Sequence, residues 1–350
     1  MALHITSVLH PLDAGYDDII DVRAPSEYAA DHLPGAINLP VLSDEERARV
    51  GTIYKQVSPF SARKLGAALV ARNAAAHLEG VLADRPGGWR PLVYCWRGGQ
   101  RSGSFATILS AIGWRVETVA GGYKAWRRLV VEAVTDAPFP APVVLIDGDT
   151  GTAKTALLAA MAAQGVQVID LEELARHRGS IFGAAEGGQP TQRAFEGALA
   201  VAMARLDPAR PVAMEAESPM LGALQLPPAV LRAMRAAVRI EVAAPRAERA
   251  AYLLRAYPDL GADRGRLAAL IERLRPWQPR EVIEGWQGMV SAGALLPLAE
   301  GLIARHYDPL YARARARSGA PTARLDLPSL DAAGIAAGAG ALAALVAAGR

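Results

Sequence analysis

The stretch PLVYCWRGGQRSGSFATILSAIGW, residues 91–114, changes its periodicity at a cysteine and decides the fold class of this region. Its first five residues form an apolar run rich in β-forming residue types, which predicts a buried strand that ends at Cys95. The apolar residues beyond the glycines recur at helical spacing, at Phe105, Ile108, Leu109 and Ile112. A strand, a glycine-rich loop and a helix in this order are the repeating unit of an α/β fold with a parallel sheet.

Cys95 is the only cysteine in the 350-residue chain, and its surroundings favour a reactive thiol. A lone free cysteine more often packs as a small apolar residue. Here Gly98 and Gly99 allow the loop to turn several backbone N–H groups inward, and Arg101 completes a Cys-x5-Arg pattern. Inward amides, a helix N-terminus and a guanidinium all stabilise a thiolate. We therefore predict that Cys95 is catalytic and that the loop around the thiol consists of Arg97, Gly98, Gly99, Gln100, Arg101 and Ser102.

The composition is that of a globular chain, with 51% hydrophobic and 21% charged residues and enough length for two separate cores. One cysteine excludes an intramolecular disulfide and any multi-cysteine metal site. The formal charge of +3 is compatible with a nucleic-acid partner without indicating one. No signal peptide is visible, and the uncharged run at residues 332–349 is so rich in alanine and glycine that a docking helix fits it better than a membrane span. We expect a cytoplasmic protein without membrane contact.

The order of strand and helix patterns divides the chain into two α/β domains. Short strands alternate with helices through residue 135, and the segment DAPFPAP at 136–142, with three prolines in seven residues, cannot continue a helix. A second α/β pattern begins at residue 143 and becomes almost wholly helical beyond about residue 245. We therefore predict a first domain at 1–135, a linker at 136–142 and a second domain at 143–350 with a helical C-terminal part.

The sequence GDTGTAKT at 148–155 follows an apolar strand and precedes a helix, as a Walker A phosphate loop does. The spacing is met at Gly148, Lys154 and Thr155 but is broken at Ala153, where glycine is expected. A Cβ at this position can crowd a phosphate or force a changed backbone angle. We predict phosphate binding rather than efficient ATP hydrolysis, by Gly148, Thr150, Gly151, Thr152, Lys154 and Thr155.

Two carboxylates follow in the predicted strand PVAMEAE. Glu215 and Glu217 are two residues apart and so share a face, where they can hold Mg²⁺ through water or act as a base. The other interpretation is a strand that simply runs out into solvent. No ligand set for a resident metal stands out, and we predict no tightly bound cofactor.

The segment DVRAPSEYAADHLPGAINLP at 21–40 resembles the N-terminal signature of the rhodanese superfamily. The matching positions are Asp21, Arg23, Glu27, Tyr28, His32, Pro34, Gly35, Ala36, Asn38 and Pro40. In that superfamily the cysteine at the strand end, here Cys95, carries sulfur or selenium in a loop of backbone amides. We expect four polar residues of the signature to tie loops together rather than to catalyse: Asp21, Arg23, Glu27 and His32.

The two halves together resemble the bacterial tRNA 2-selenouridine synthases, in which a rhodanese domain precedes a P-loop domain. The segments that carry the resemblance are ERARVGTIYKQ (46–56), the CWRGGQRS loop, VAGGYKAWR (119–127), DLEELARHRGSIFG (170–183) and YDPLYARA (307–314). The implied fold is a rhodanese-like parallel-sheet domain followed by a P-loop α/β domain with a helical C-terminal part.

The resemblance implies a transferase that replaces sulfur by selenium at the wobble 2-thiouridine of tRNA. A geranyl group from geranyl diphosphate first alkylates the 2-sulfur, and selenium from selenophosphate then displaces it. The implied partner is tRNA carrying 2-thiouridine, with a selenophosphate-supplying enzyme as a second partner, and Mg²⁺ is compatible with the diphosphate chemistry. The basic turn Arg176, His177 and Arg178 is a candidate contact for diphosphate or tRNA, or else a solvated helix end.

Two positions depart from the family pattern, namely Ala153 and Pro219, where an arginine is expected. They leave two other functions open. One is a generic rhodanese sulfurtransferase or a Cys-x5-Arg phosphatase whose second domain is a regulatory phosphate binder. The other is a non-enzymatic module that binds tRNA or a nucleotide.

Overall fold

The computed structural model describes residues 2–183, 187–318 and 320–349, except for the side chains of residues 314–318. The chain divides into two compact units. The first comprises Met1–Pro138, Pro190–Arg205 and Pro227–Ala229, and the second comprises Phe139–Gln189, Leu206–Leu226 and Val230–Arg350.

Five strands and six helices form the N-terminal part. The strands are β1 (Ala2–Leu3), β2 (Asp18–Asp21), β3 (Ile37–Asn38), β4 (Pro91–Tyr94) and β5 (Glu117–Val119). The helices are α1 (His10–Asp13), α2 (Pro25–Ala30), α3 (Asp44–Gln56), α4 (Pro59–Glu79), α5 (Gln100–Ile112) and α6 (Gly122–Val131), the last of which continues into a π-helical turn (Glu132–Asp136).

The first sheet has the order β1-β5-β4-β2-β3, and all its pairs are parallel. Strand β4 lies in the middle and is buried along its whole length, as its apolar sequence predicts. Its buried Val93 packs in one core with Phe105 and Leu109 of α5 and Leu69 of α4. Because the strands are parallel, the loop after β4, which begins with Cys95, lies at the carboxyl edge of the sheet.

Among the described residues, the remaining chain contributes seven strands and eleven α-helices. The strands are β6 (Val143–Gly148), β7 (Gln167–Ile169), β8 (Val212–Glu215), β9 (Met220–Leu221), β10 (Leu224–Gln225), β11 (Val238–Ala243) and β12 (Ala323–Asp326). The helices are α7 (Lys154–Ala163), α8 (Leu171–Ala175), α9 (Gln192–Ala204), α10 (Pro228–Ala236), α11 (Arg246–Ala256), α12 (Pro258–Ala262), α13 (Arg264–Glu272), α14 (Arg280–Ala292), α15 (Leu295–Leu302), a π-helical turn (Ile303–Tyr307), α16 (Asp308–Ser318) and α17 (Ala332–Ala347).

The second sheet is also parallel, in the order β12-β11-β6-β8-β7, and β9 and β10 form a separate antiparallel pair. The central strand β6 is buried at every residue and delivers the phosphate loop to the carboxyl edge. The α/β prediction with parallel sheets is therefore confirmed. The chain beyond residue 245 is mostly helical, as predicted, and the exception is β12, a short edge strand whose half-exposed residues give only a weak pattern.

The alanine- and glycine-rich run forms helix α17, which packs on α7 as the docking interpretation predicts. Its buried face contains Gly338, Ala339, Leu342 and Val346. Gly338 lies close to Leu327, where a Cβ would come within 2.9 Å of the leucine side chain and require it to shift. Among the described residues, none of the helices is long and apolar enough to cross a membrane.

Helix α9 belongs to the first unit although it lies between β7 and β8 in the sequence. Its Gly197 faces the ring of Trp126 on α6, where a Cβ would come within 2.8 Å of a ring carbon. Arg127 of α6 is also paired with Glu196. The chain thus crosses between the units more than once, which the single linker predicted at 136–142 does not anticipate.

Candidate active sites

The thiol of Cys95 lies directly after β4 and is held by the start of helix α5. The Ser102 hydroxyl donates a hydrogen bond to Sγ over 3.2 Å, and the Cys95 side chain is only 4% exposed. Burial raises the pKa of Cys95, but hydrogen bonds from the Ser102 hydroxyl and from backbone N–H groups of Ser102, Arg97 and Gly99 lower it, and the pKa is lowered overall. The loop therefore favours an anionic sulfur.

The shape of this loop depends on close backbone contacts. Gly98 adopts a φ of +65°, and a Cβ there would lie 2.4 Å from the carbonyl oxygen of Val119. On the other side, the start of α6 fastens the loop, because the N–H groups of Tyr123 and Lys124 donate to the carbonyls of Cys95 and Trp96 over 2.9 and 3.0 Å. The VAGGYKAWR segment thus shapes the loop around the thiol.

Arg101 is held by a carboxylate of the rhodanese-like signature. Its Nη1 lies 2.8 Å from Glu27 Oε2, and Arg47 Nε reaches the same oxygen over 2.8 Å. Burial raises the pKa of Glu27, but the hydrogen bond and charge of Arg101 and the charge of Arg47 lower it overall. Arg97, Gly98, Gly99 and Gln100 are exposed and form the open rim of the loop.

The other polar residues of the signature act as ties. Arg23 and Asp21 are almost wholly buried, and Arg23 Nη2 donates to Asp21 Oδ2 and to the carbonyl of Asp31, both over 2.6 Å. The ring of His32 stacks on Tyr28 and its Nδ1 lies 2.9 Å from the Tyr28 carbonyl. Arg23 and Asp21 thus join the end of β2 to the segment after α2, as expected, whereas the contacts of His32 stay within four residues of it.

The phosphate loop curls between β6 and α7 around its glycines. Gly151 has a φ of +85°, and a Cβ there would lie 2.9 Å from the carbonyl of Arg249. Lys154 Nζ donates to the carbonyl of Gly148 over 3.0 Å. Burial lowers the pKa of Lys154, but Tyr311 and the nearby carboxylates raise it by more than burial lowers it. The ammonium group of Lys154 therefore stays charged. The loop thus holds a fixed positive charge at the N-terminus of a helix.

Ala153 occupies the left-handed region, with a φ of 61° and a ψ of 28°. This conformation costs a residue with a Cβ about 1–2 kcal/mol and explains why glycine is expected at the position. The methyl group is 4% exposed and packs in the core with Leu157 and Val242. The departure therefore costs backbone strain rather than room for a phosphate.

Three carboxylates converge beside the loop. Oxygens of Glu172, Glu215 and Glu217 all lie within 4.8 Å of one another, and Thr155 Oγ1 donates to Glu215 Oε1 over 2.7 Å. Burial, together with the charge of Glu215, raises the pKa of Glu217 to about 7, and burial also raises the pKa values of Glu172 and Glu215. Glu215 and Glu217 do come together, as their spacing predicts. Carboxylate oxygens this close repel one another when they are ionised, and together with the Thr155 hydroxyl they form a set of oxygen ligands that fits a divalent cation.

Sequence reasoning missed Glu172 and Arg249. Glu172 follows β7 in the segment DLEEL, so the signal was a carboxylate just past a strand that ends at the same edge as β8. Arg249, only 5% exposed, donates to the Thr150 carbonyl over 3.2 Å and pairs with Asp308 over 2.8 and 2.9 Å. Asp308 lies in the YDPLYARA segment, which therefore supports the phosphate loop.

The basic turn does not form one patch. Arg176 is exposed in a left-handed conformation, with a φ of 48°. Arg178 pairs with Asp259 over 3.3 Å and lies over the ring of Tyr257. Burial lowers the pKa of His177, which favours its neutral form. Only Arg176 keeps a freely exposed charge, so the turn is less basic than its sequence suggests.

Two cavities adjoin the loop and the carboxylates. The first, of about 170 Å³, is almost wholly apolar, and its wall includes Thr150 of the phosphate loop. Its lining residues are Thr150, Ser180, Phe182, Leu253, Leu254, Tyr257, Leu260, Gly261, Leu267, Leu295, Leu298, Ala299, Leu302 and Tyr307. The second, of about 680 Å³, is lined by Glu217 and Pro219 and also by Arg235 and Arg239. Arg239 pairs with Asp147 over 2.7 Å, so Arg235 is the guanidinium best able to replace the arginine missing at Pro219.

Comparison with known proteins finds two domain models that match in succession along the chain. Residues 5–129 match the rhodanese-like domain model, and residues 141–266 match the model of the tRNA 2-selenouridine synthase AAA domain. A rhodanese homologue from Saccharomyces cerevisiae is similar over 37% of this chain and 82% of its own, at 18% identity and a TM-score of 0.23.

Two curated relatives show how far the similarity extends. The tRNA 2-selenouridine synthase of Hahella chejuensis is 36% identical over 274 residues, which is 75% of this chain and 66% of that protein. The chain spans slightly less than two thirds of the length of this relative and of the similar synthase of Shewanella halifaxensis. The synthase of Aeromonas salmonicida is 34% identical over 326 residues, or 84% of this chain and 87% of that protein. With both domains matched in order and most of the chain aligned, this protein belongs to the tRNA 2-selenouridine synthase family.

Proposed function

We propose that this protein is an enzyme that replaces sulfur by selenium at the wobble 2-thiouridine of tRNA, through an S-geranylated intermediate. Membership of the family supports action on tRNA. The observation that carries the geranyl step is Thr150, which belongs to the phosphate loop and also lines the apolar cavity. A loop that binds only nucleotides has no need of a neighbouring cavity lined by leucines and aromatic rings.

In the first step, geranyl diphosphate binds with its charged end on the phosphate loop and its hydrocarbon chain in the cavity. Lys154 and the loop N–H groups face the diphosphate, where they stabilise the charge that develops as it leaves. The 2-sulfur forms a bond to C1 of the geranyl chain as the C1–O bond breaks. The uridine N3 then loses its proton to water, which leaves the alkylated base neutral.

A divalent cation fits this site. Thr155, Glu172, Glu215 and Glu217 would hold Mg²⁺, whose chemistry is to offset the negative charge of a diphosphate. Hydrogen bonds within the chain hold the site in shape. The Thr155 hydroxyl fixes the carboxylate of Glu215, and the buried Arg249 fixes the carbonyl of Thr150 in the phosphate loop.

In the second step, selenium from selenophosphate displaces the alkylated sulfur. The C2–Se bond forms as the C2–S bond breaks, the sulfur leaves as geranyl thiolate, and water takes up the phosphoryl group as the P–Se bond is cleaved. We assign Cys95 to this step, because its loop stabilises anionic sulfur and presents amides suited to an anion. A selenophosphate-supplying enzyme would act upstream of it, in the cytoplasm with tRNA.

The test uses purified protein with tRNA that carries 2-thiouridine, geranyl diphosphate, selenophosphate and Mg²⁺, followed by mass spectrometry of the nucleosides. We expect S-geranyl-2-thiouridine without selenophosphate and 2-selenouridine with it. Sulfur transfer from thiosulfate or hydrolysis of an aryl phosphate, without any change in tRNA, would instead support the generic sulfurtransferase or phosphatase.

A further inference from the structure

A groove of about 940 Å³ lies in the first unit, between α3, α4 and the start of α5. Four cationic side chains line it, namely Arg47, Lys55, Arg63 and Arg101, whereas no acidic side chain is among its lining residues in the described part of the chain. Lys55 and Arg63 are exposed, and Arg47 is half exposed beyond its ion pair with Glu27. A groove with cations and no acid on its walls is suited to a polyanion.

Aromatic and apolar side chains stand beside these charges. Tyr54 lines the groove and is 56% exposed, and Val57, just after α3, and Phe60, in the first turn of α4, are 74% and 69% exposed. Exposed rings next to cations are the combination that binds unpaired nucleobases, because each base stacks while its phosphate is neutralised.

Helix α3 contributes little to the core of the first unit, against which its half-buried Val50 packs, and this small share indicates another use. None of its thirteen residues is buried, yet its N-terminus is built with a full capping box between Ser43 and Glu46. Asn73 of α4 also donates to Glu46 over 2.8 Å. Because these hydrogen bonds hold the N-terminus of α3 in place, its exposed side chains point outward in a defined arrangement.

The groove reaches the thiol loop. Gln100, Arg101 and Ser104, at the start of α5, form part of its wall. Ser102, which follows Arg101 in the first turn of α5, donates a hydrogen bond from its hydroxyl to Cys95 Sγ. A polyanion bound in the groove would therefore lie beside the loop of Cys95, the residue that the proposed function assigns to selenium transfer.

From these observations we infer that the α3–α4 groove binds the unpaired loop of the tRNA anticodon arm, with Lys55 and Arg63 on phosphates and Tyr54 stacked on a base. This inference rests on the proposed function and names where its RNA substrate is held. The RNA is single-stranded at this point, because a duplex hides its bases from a stacking ring.

The test measures binding of an anticodon stem-loop RNA with 2-thiouridine at the wobble position, by fluorescence anisotropy at several salt concentrations. The double variant Lys55→Gln/Arg63→Gln should bind about tenfold or more weakly, and its dependence on log[salt] should be shallower by about one to two. Tyr54→Ala should also lose about tenfold, whereas Tyr54→Phe should bind as the wild type does. The matched control is Arg72→Gln/Arg115→Gln, which removes two exposed arginines that do not line the groove and should bind normally.

The outcomes separate this inference from the proposed function. If the wild type binds and modifies the RNA but the groove variants bind as tightly, the groove inference is overturned and the function stands. If the groove variants lose binding as expected while the wild type produces no modified nucleoside, the groove stands and the chemistry fails. Equal losses in the control variant would show only a general charge effect and would also overturn the inference.

Discussion

At the scale of single residues, the reactivity of the only thiol depends on one hydroxyl and three backbone amides. Burial alone would raise the pKa of Cys95, and the hydrogen bonds reverse that effect. Of these donors, only the Ser102 hydroxyl can be removed by substitution, over a contact of 3.2 Å.

Ser102→Ala should therefore shift the pKa of Cys95 to higher pH and lower the thiolate fraction at pH 7. The rate of alkylation by iodoacetamide, measured against pH, reports this directly because the chain has no other cysteine. Ser110→Ala, on the exposed side of the same helix, is the control and should leave the profile unchanged. Identical profiles for Ser102→Ala and the wild type would contradict the assignment.

Ala153 is a second case in which a single residue decides a local property. Ala153→Gly should relieve a backbone strain of about 1–2 kcal/mol. It also removes a buried methyl worth about 0.8 kcal/mol and increases the conformational entropy of the unfolded chain, and both effects lower stability. The free energy of unfolding should therefore change by less than about 1 kcal/mol. Ala153→Val, β-branched at a positive φ, should destabilise clearly. Urea unfolding measures both. A large gain in geranylation by Ala153→Gly would contradict the conclusion that the buried methyl leaves room for a phosphate.

At the scale of secondary-structure elements, the parallel strands explain why distant residues meet. The carboxyl ends of β6, β7 and β8 deliver Thr155, Glu172 and Glu215 to one place. The strands and loops themselves could be predicted, since apolar runs, glycines and helical spacing are local signals. Glu172 could not, because its approach to Glu215 depends on sheet order, and the association of α9 with the first unit depends on packing against Trp126.

The carboxylate cluster should make stability depend on pH when no metal is added. The folded chain holds the proton of Glu217 up to about pH 7, whereas the unfolded chain releases it near pH 4.5. The stabilisation linked to this proton is thus complete below pH 4.5 and is lost as the pH rises through 7. Thermal unfolding between pH 5 and 8 should show this fall, and Mg²⁺ should raise Tm more at pH 8 than at pH 5.5.

Glu217→Gln should weaken that pH dependence, since the amide carries no charge to bury, while the raised pKa values of Glu172 and Glu215 leave part of it in place. Glu281→Gln, an exposed residue on α14, is the matched control and should keep the slope of the wild type. A metal effect on Tm that is equal at both pH values would argue against a cation held by these carboxylates.

The size of the apolar cavity between α11, α13 and α15 should limit the length of the isoprenoid chain that the protein uses. Ala299→Phe should fill it and raise the KM for geranyl diphosphate by about tenfold or more, while inhibition by free diphosphate stays unchanged. Leu267→Ala should enlarge it and allow use of farnesyl diphosphate. Steady-state kinetics with both substrates provides the test, and equal weakening of diphosphate inhibition would place the chain elsewhere.

At the scale of the whole molecule, the thiol and the phosphate loop belong to different compact units. Cys95 lies in the unit with the rhodanese-like sheet, and Lys154 lies in the unit with the apolar cavity. The resemblance of both halves to one family could be read from the sequence because its motifs are local, whereas the cavity could not, since its walls come from four α-helices, a π-helical turn and two loops. The central claim is that the two units carry out separable steps on one tRNA.

One measurement tests this claim most directly: mass spectrometry of nucleosides after Cys95→Ala and Lys154→Ala each act on 2-thiouridine tRNA and on tRNA geranylated beforehand. Cys95→Ala should accumulate S-geranyl-2-thiouridine and make no 2-selenouridine. Lys154→Ala should leave 2-thiouridine unchanged but should convert the geranylated tRNA when selenophosphate is present. Loss of both activities in both variants, with folding intact, would contradict the division of labour between the two units.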